Sequence, residues 1–471
     1  MRVGDIAPQI ALVVGAVTVL LVALVVPRRL QWVGAPVAGL ALAVSGVLTV
    51  VVPLQAGQRL TMDGLWALDG TTTAAGLLII LTTALTIGPS PEWLGDDPRH
   101  GEFYAVLLLS AVGAIAMAGA ADTLQLAVGM LLSSVTGYTL AAYHRRSPLS
   151  VEAGIKYFLV GAFANTLFVL GVTLAFGLAA TTLYEPASAA LTTADGTVLA
   201  LATGLLGLGL AFKLGAVPAH QWVPDVAQGA PAPAAAFLTV APKIGAAVAL
   251  ARLLPTLPED LVGWRPVAAA LAAGTMTLGN LAALAQDDLR RLLGWSSVSQ
   301  SGYAIMAVVA LERADLAIPA LITFLLAYAL ANLAAFGVVT ELRGRTALAD
   351  YGGMATDHPW LAGALVISFL SLVGVPPLIG FTGKLTLFTA TIDAGYTWLA
   401  IVAIANTVVS LAYYLRVLGP MYFDPTPRIS PAPLLGRWAA AATALAALLV
   451  VATGIGAEPI VAALDNALLL P

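Results

Sequence analysis

Three lysines, Lys213, Lys243 and Lys384, stand inside strongly apolar stretches of a chain whose other basic residues are almost all arginines. Only four of the 21 basic residues are lysine. A charge at the centre of a bilayer costs about 3 kcal/mol on insertion scales, so an ionisable side chain kept there is a functional candidate. The choice of lysine narrows the chemistry. Arginine keeps its proton almost anywhere, whereas an amine taken out of water gives its proton up far more readily. Titratable amines strung along a membrane-embedded chain point to proton handling. The plainer reading is that each lysine snorkels to an interface along its flexible stem. That suits Arg252, near the end of its apolar segment. It suits Lys243 poorly, because FLTVAPKIGAAVALARLL is apolar on both sides of it.

Acidic partners for these amines are not evident. The carboxylates lie in loops or at helix ends. Asp225 stands beside His220 and Trp222, where it either joins proton transfer or caps the helix that follows. Glu152 and Lys156 are four apart and predict an ion pair on one helix face. Asp122 begins a helix. Between the lysines lie Ser296, Ser297, Ser299, Gln300, Tyr303, Thr323, Tyr328 and Asn332. Such side chains can hold water for proton passage, and they also simply join helices together.

The elements that must position these groups are membrane helices. The chain has 471 residues, 60% hydrophobic and 10% charged, with mean hydropathy +0.94. A soluble domain could not hide so much apolar surface. The net charge of -4 and the lack of a basic run give no sign of nucleic acid. Cysteine is absent, which excludes disulfides, thiolate zinc sites and cysteine-ligated iron–sulfur clusters from this chain. There are four histidines, and only His220 is expected at membrane depth, so no metal or haem site is expected either.

At roughly 20 apolar residues per span, the sequence predicts an all-α integral membrane fold of about fourteen helices. They start near residues 6, 32, 71, 103, 122, 153, 196, 233, 264, 292, 315, 360, 396 and 436. The first apolar run ends in Arg28 and Arg29 without a small-residue cleavage site, and reads as a retained helix. Arg28, Arg29, Arg99, Arg145, Arg146, Arg290, Arg291, Arg343, Arg345, Arg428 and Arg437 fall in loops after odd-numbered helices, with Arg416 on the same side. Arg2, Arg59, Arg265 and Arg313 fall opposite. The positive-inside rule then predicts a multi-pass protein of the bacterial cell membrane, with both termini on the periplasmic or outer side.

Two segments are interrupted by proline. One is FKLGAVPAHQWVPDVAQGAPAP, with prolines at 218, 224, 231 and 233; the other is SLVGVPPLIGFTGK, with Pro376 and Pro377. Both helices should break there. Irregular backbone at membrane depth is tolerated only against protein or a wet cavity. Two broken helices five spans apart predict an inverted-repeat transporter fold, with repeats over helices 4–8 and 9–13. The expected organisation is three N-terminal helices in 1–100, a first repeat in 101–255, a second in 256–420, and a C-terminal helix and tail in 421–471.

At EAGIKYFLVGAFAN, FKLGAVPAHQWVPDVAQGAPAP, RRLLGWSSVSQSGY and GVPPLIGFTGK the chain resembles the subunit N family of bacterial complex I, the NADH–quinone oxidoreductase. These are antiporter-like membrane subunits with broken helices 7 and 12. The resemblance implies that Lys213, Lys243 and Lys384 carry protons, with His220, Asp225, Gln300 and Tyr303 as secondary candidates. It implies a proton-translocating membrane-arm subunit that couples quinone reduction to proton transfer. Other membrane-arm subunits and the lipid bilayer would be its partners. No cofactor would sit on this chain; quinone, FMN and iron–sulfur clusters would belong to other subunits. The chain departs from the family at helix 5. The family carries a glutamate there, and an alignment on Ser134 and Tyr138 puts Leu131 in its place. Gln300 stands where many relatives have histidine. Without the glutamate, a structural, non-pumping subunit is an alternative. Another is a subunit of a cation/proton antiporter or a membrane hydrogenase-type complex.

Overall fold

The computed structural model describes residues 3–95, 97, 99–425, 434–465, 467 and 469–471. Arg2 and Arg428, used above for orientation, lie outside the described residues. The main helices are α1 (Ala7–Val25), α2 (Gly34–Ala56), α3 (Gly70–Ile87), α4 (His100–Ala118), α5 (Thr123–Ala141) and α6 (Pro148–Ala179). Then come α7a (Gly196–Leu214), α7b (Trp222–Gly229), α8a (Ala232–Leu238), α8b (Ala241–Leu253), α9 (Trp264–Leu284), α10 (Leu289–Val309) and α11 (Ala317–Glu341). The series ends with α12a (Pro359–Val373), α12b (Ile379–Asp393), α13 (Thr397–Phe423) and α14 (Arg437–Ile455). A hairpin of two short strands, β1 (Arg59–Thr61) and β2 (Trp66–Leu68), joins α2 to α3.

Each expected start lies within about five residues of the start of one of these helices. By length and composition alone, twelve helical stretches among the described residues are long and apolar enough to cross a membrane. The two expected spans outside that set have physical reasons. Serines, Gln300 and two arginines dilute α10, and α12 is divided into halves of 15 residues each.

Many carboxylates are spent on helix starts. Asp69, Asp122, Asp195 and Asp288 each accept a backbone N–H in the first turn of α3, α5, α7a and α10. Each such cap is worth about 1 kcal/mol, which accounts for the acids found at helix ends. α8a and α8b are buried throughout their length. Close packing of α8b needs glycine at 245, where a Cβ would lie 2.3 Å from the carbonyl oxygen of Ala114 on α4. Around this centre, α1, α2, α6, α13 and α14 turn large side chains outward, among them Leu24, Leu40, Phe163, Val408 and Leu448. That is the pattern of a bundle whose perimeter meets lipid.

Both expected breaks are present, each with the same layout. Gly215 (φ +67°) ends α7a, and the Val217–Pro218 bond is cis; Gly374 (φ +97°) ends α12a, and the Pro376–Pro377 bond is cis. A third interruption, at Thr239 and Val240, separates α8a from α8b and was not expected.

The arginine-bearing loops converge on one face. Arg99 donates to the Tyr143 carbonyl (2.7 Å), Arg343 to that of Trp93 (3.3 Å), and Arg416 pairs with Asp287 (2.9 Å). Arg59, opposite, pairs with Asp5 at 2.8 Å.

Arg252 does not snorkel. It is buried in an ion pair with Asp69 (2.7 Å) and also donates to the Thr72 hydroxyl (3.0 Å) and the Leu470 carbonyl. The reason is the cap itself: Asp69 is buried at the start of α3, so a cation from the end of α8b is drawn to it.

Candidate functional site

The three breaks assemble the site. A broken helix frees carbonyls that must find donors, and here side chains from neighbouring helices supply them. Trp222 Nε1 donates to the Phe212 carbonyl (2.9 Å), and the Ser301 hydroxyl to that of Leu214 (2.5 Å). The Tyr328 hydroxyl donates to the Thr239 carbonyl (2.7 Å) at the third break. Lys384 Nζ donates to the Val373 carbonyl (3.2 Å) across the α12 break. Tyr157, from the EAGIKYFLVGAFAN segment, stacks on Trp222 with ring centroids 4.2 Å apart and fixes it in place.

Lys243 is 2% exposed and fully engaged. Its Nζ donates to the Ser297 carbonyl (2.7 Å), the Ser297 hydroxyl (2.6 Å) and the Ser301 hydroxyl (2.9 Å). An ammonium has three donors, so this set is complete. Two of the partners are hydroxyls that pass their own protons onward, Ser301 to the Leu214 carbonyl and Ser297 to the Tyr328 hydroxyl. The network continues through Ser297 to the Tyr328 hydroxyl (2.7 Å), and Asn332 reaches the Thr239 hydroxyl (3.0 Å). Lys243 also borders the first break: a Cβ on Gly215 would lie 3.4 Å from its Nζ.

Lys384 is buried beside Tyr303. Its Nζ lies 4.5 Å from the Tyr303 ring centroid and 3.3 Å from the Thr407 hydroxyl. Tyr303 and Thr407 share a hydrogen bond of 2.9 Å. Between the two lysines on α10, Ser296 pairs with the Tyr414 hydroxyl (2.6 Å), and Gln300 lies against that same hydroxyl. Ser299 Oγ and Thr323 Oγ1 are buried with no protein partner among the described residues.

Lys213 is buried too, but its Nζ meets one neutral hydroxyl, Ser133 of α5, at 3.3 Å. Leu131 is 41% exposed on the outer side of α5, so the aligned position faces away and Ser133 is the residue that meets the lysine.

His220 and Asp225 do not join the lysines. His220 is buried against Trp295, with ring centroids 5.5 Å apart, and its Nδ1 has no partner among the described residues. Asp225 neither caps α7b nor faces an intramembrane amine. It pairs with Lys156 (3.1 Å) and Arg291 (2.6 Å) near the arginine-bearing face, and Lys156 also binds Glu152 (2.6 Å) as expected. These partners are partly exposed, where ion pairs are worth about 1 kcal/mol or less. Asp225→Asn should therefore lower the thermal stability of the assembly only slightly, and thermal unfolding in detergent checks this.

Sequence reasoning missed Ser133, Thr407, Tyr414 and a joined pair, Asn280 and Asn406. Asn280 Nδ2 donates to Asn406 Oδ1 (3.0 Å), and the Tyr413 hydroxyl donates to Asn280 Oδ1 (3.1 Å). A buried asparagine on each of two apolar helices was the one available signal.

A family model described as "NADH:quinone oxidoreductase/Mrp antiporter, TM" matches residues 120–410, which include all three lysines and all three breaks. The chain belongs to this family. As a family member it is an antiporter-like membrane-arm subunit, part of an oxidoreductase complex and multi-pass in the membrane. A NADH-quinone oxidoreductase subunit N 1 from Streptomyces griseus is 42% identical over 98% of this chain and 97% of that protein. A NADH-quinone oxidoreductase subunit N from a Mycobacterium species is 42% identical over 92% of each. Among solved structures, a chain of respiratory complex I from Thermus thermophilus superposes with TM-score 0.83 and 31% identity, covering 97% of this chain and 98% of that one. A chain of the Mrp complex from a Dietzia species gives TM-score 0.86 at 20% identity over 99% and 97% of the two chains, which establishes a shared fold and no more.

Proposed function

We propose that this family member carries protons as subunit N of a NADH–quinone oxidoreductase, along an axis from Lys213 and Lys243 to Lys384. The observation that supports this most is the surround of Lys243: three donors met by one carbonyl and two hydroxyls, in a site built from helix breaks. These neutral partners satisfy the ammonium without a fixed counter-charge, so no ion pair locks its proton in place, as a relay requires. The proposed route enters from the arginine-bearing face near His220, reaches Lys213 and Lys243, and follows the α10 hydroxyls, Tyr414, Tyr303 and Thr407 to Lys384 and an exit. In this reading the arginine-bearing face is cytoplasmic and both termini lie outside. The matching positive-φ glycines that end α7a and α12a, each followed within three residues by proline, support repeats over 101–255 and 256–420. Redox chemistry belongs to other subunits; this chain converts their work into proton movement. The decisive experiment is proton translocation by the assembled complex carrying Lys243→Ala, developed in the Discussion.

A second reading is favoured by one observation, the neutral partner of Lys213. If the first half of the chain only braces the assembly, an acid beside Lys213 changes nothing. If Lys213 carries protons, Ser133→Asp gives its ammonium an ion-pair partner and should change the proton-to-electron ratio in proteoliposomes. Leu131→Glu, on the exposed side of α5, should leave it unchanged.

A further inference from the structure

On the arginine-bearing face, a cavity of about 350 Å³ is lined by Trp93, Asp97, Arg99, His144, Arg145, Arg146, Ser147 and Arg343. Three separate connections build it: α3–α4, α5–α6 and α11–α12. None of its lining residues belongs to the lysine axis, and nothing in the route above uses it.

Two of its guanidiniums are fixed by aromatic scaffolds. Arg343 lies 4.7 Å over the Trp93 ring while donating to the Trp93 carbonyl, and Arg99 lies 4.9 Å over the Tyr143 ring while donating to the Tyr143 carbonyl. Each spends one N–H on that contact and retains others. Among the described residues, no carboxylate lies within ion-pair distance of Arg145, Arg146 or Arg343. Asp97 is the one acid in the lining among the described residues, 3.6 Å from Arg99 Nε. Burial pushes His144 below the usual imidazole range; Asp97 opposes the shift, and Arg343, Arg290 and Arg99 add to it. His144 also stacks on Trp93, so it enters the cavity as an oriented neutral hydrogen-bonding group.

Among the described residues, four guanidiniums line one concavity with a single acid, an electrostatic arrangement that an anion completes. Planar forks from several directions suit a tetrahedral oxyanion, since each fork can bind two oxygens. We infer that this cavity binds a phosphate group, either the headgroup of an anionic phospholipid or free phosphate. Its place at the ends of membrane helices beside Trp93 suits a headgroup, because tryptophan and basic pockets mark the interfacial layer. The cytoplasmic placement of the site rests on the orientation proposed above; anion binding itself does not.

The test uses the intact complex purified in mild detergent. Phospholipid carried through purification is extracted and quantified for the native complex and for Arg145→Gln/Arg146→Gln/Arg343→Gln. Loss of several charge-assisted hydrogen bonds should reduce affinity by about tenfold or more, so retained anionic phospholipid should fall while phosphatidylcholine is unchanged. A second arm titrates the delipidated complex with inorganic phosphate, then with phosphatidylglycerol micelles. Displacement of phosphate by the lipid identifies a headgroup site; binding without displacement identifies a free-phosphate site. Arg145→Gln alone, at an exposed position, guards against misassembly and should give a smaller loss in the same direction. Equal retention and equal phosphate binding in all three proteins would overturn the proposal. So would an acidic segment of a neighbouring subunit filling the cavity in the assembled complex.

Discussion

Lys243→Ala should abolish proton transfer through this subunit while the complex still oxidises NADH. The amine sits at the one place where α7a, α8b, α10 and α11 supply hydrogen-bonding groups together: Leu214 through Ser301, Lys243 itself, Ser297 and Tyr328. Truncation removes the titrating group and leaves the Ser297 carbonyl and two hydroxyls without it. An unsatisfied buried polar group costs about 1–3 kcal/mol, so assembly should survive with a modest loss of stability. Lys243→Arg should not restore transfer, because a guanidinium holds its proton too firmly to cycle. The measurement is protons moved per NADH oxidised in proteoliposomes, alongside the amount of assembled complex. An assembled Lys243→Ala complex that pumps at full stoichiometry would falsify the lysine axis. Lys384→Ala should produce the same kind of defect, since its Nζ bridges the α12 break and the Tyr303–Thr407 pair.

Arg252→Met should be strongly destabilising. Its partner Asp69 is wholly buried, and that carboxylate also caps α3 and accepts the backbone N–H of Leu470 at 2.9 Å. Removing one member of a buried pair leaves an uncompensated charge and costs about 3–5 kcal/mol. The expected result is a steep fall in the complex recovered from membranes and a lower unfolding temperature. Arg252→Met combined with Asp69→Asn should recover part of the loss, because neither charge is then left alone. If the double variant is no more stable than Arg252→Met, the damage comes from lost packing rather than from the stranded carboxylate.

The contrast between these two sites shows how much could be read in advance. Lys213, Lys243 and Lys384 announce themselves because a charge inside an apolar run is anomalous within its own segment. Pro218 and Pro377 mark their breaks for the same local reason. The interruption at Thr239 carries no such mark: Pro242 stands at the start of α8b, a position that proline tolerates in any helix. Arg252 was misread because its position near a helix end permits snorkelling, and nothing nearby in sequence reveals a buried acid 183 residues away. Ser133 went unnoticed because aligning Leu131 with the family's glutamate matches positions, whereas the side of α5 that meets Lys213 is set by how that helix is rotated in the bundle.

The sequence by itself determined the membrane class, the positions of the helices, the two proline breaks and the family. Hydropathy, proline and short motifs are local properties, and each acts within a few turns of chain. The tertiary structure alone decided what each lysine touches. Lys243 meets hydroxyls from α10, Lys384 meets Tyr303 and Thr407, and Lys213 meets Ser133 of α5. Those partners are neutral, common residues far away along the chain. Their selection depends on which faces of packed helices meet, and that is a property of the bundle as a whole.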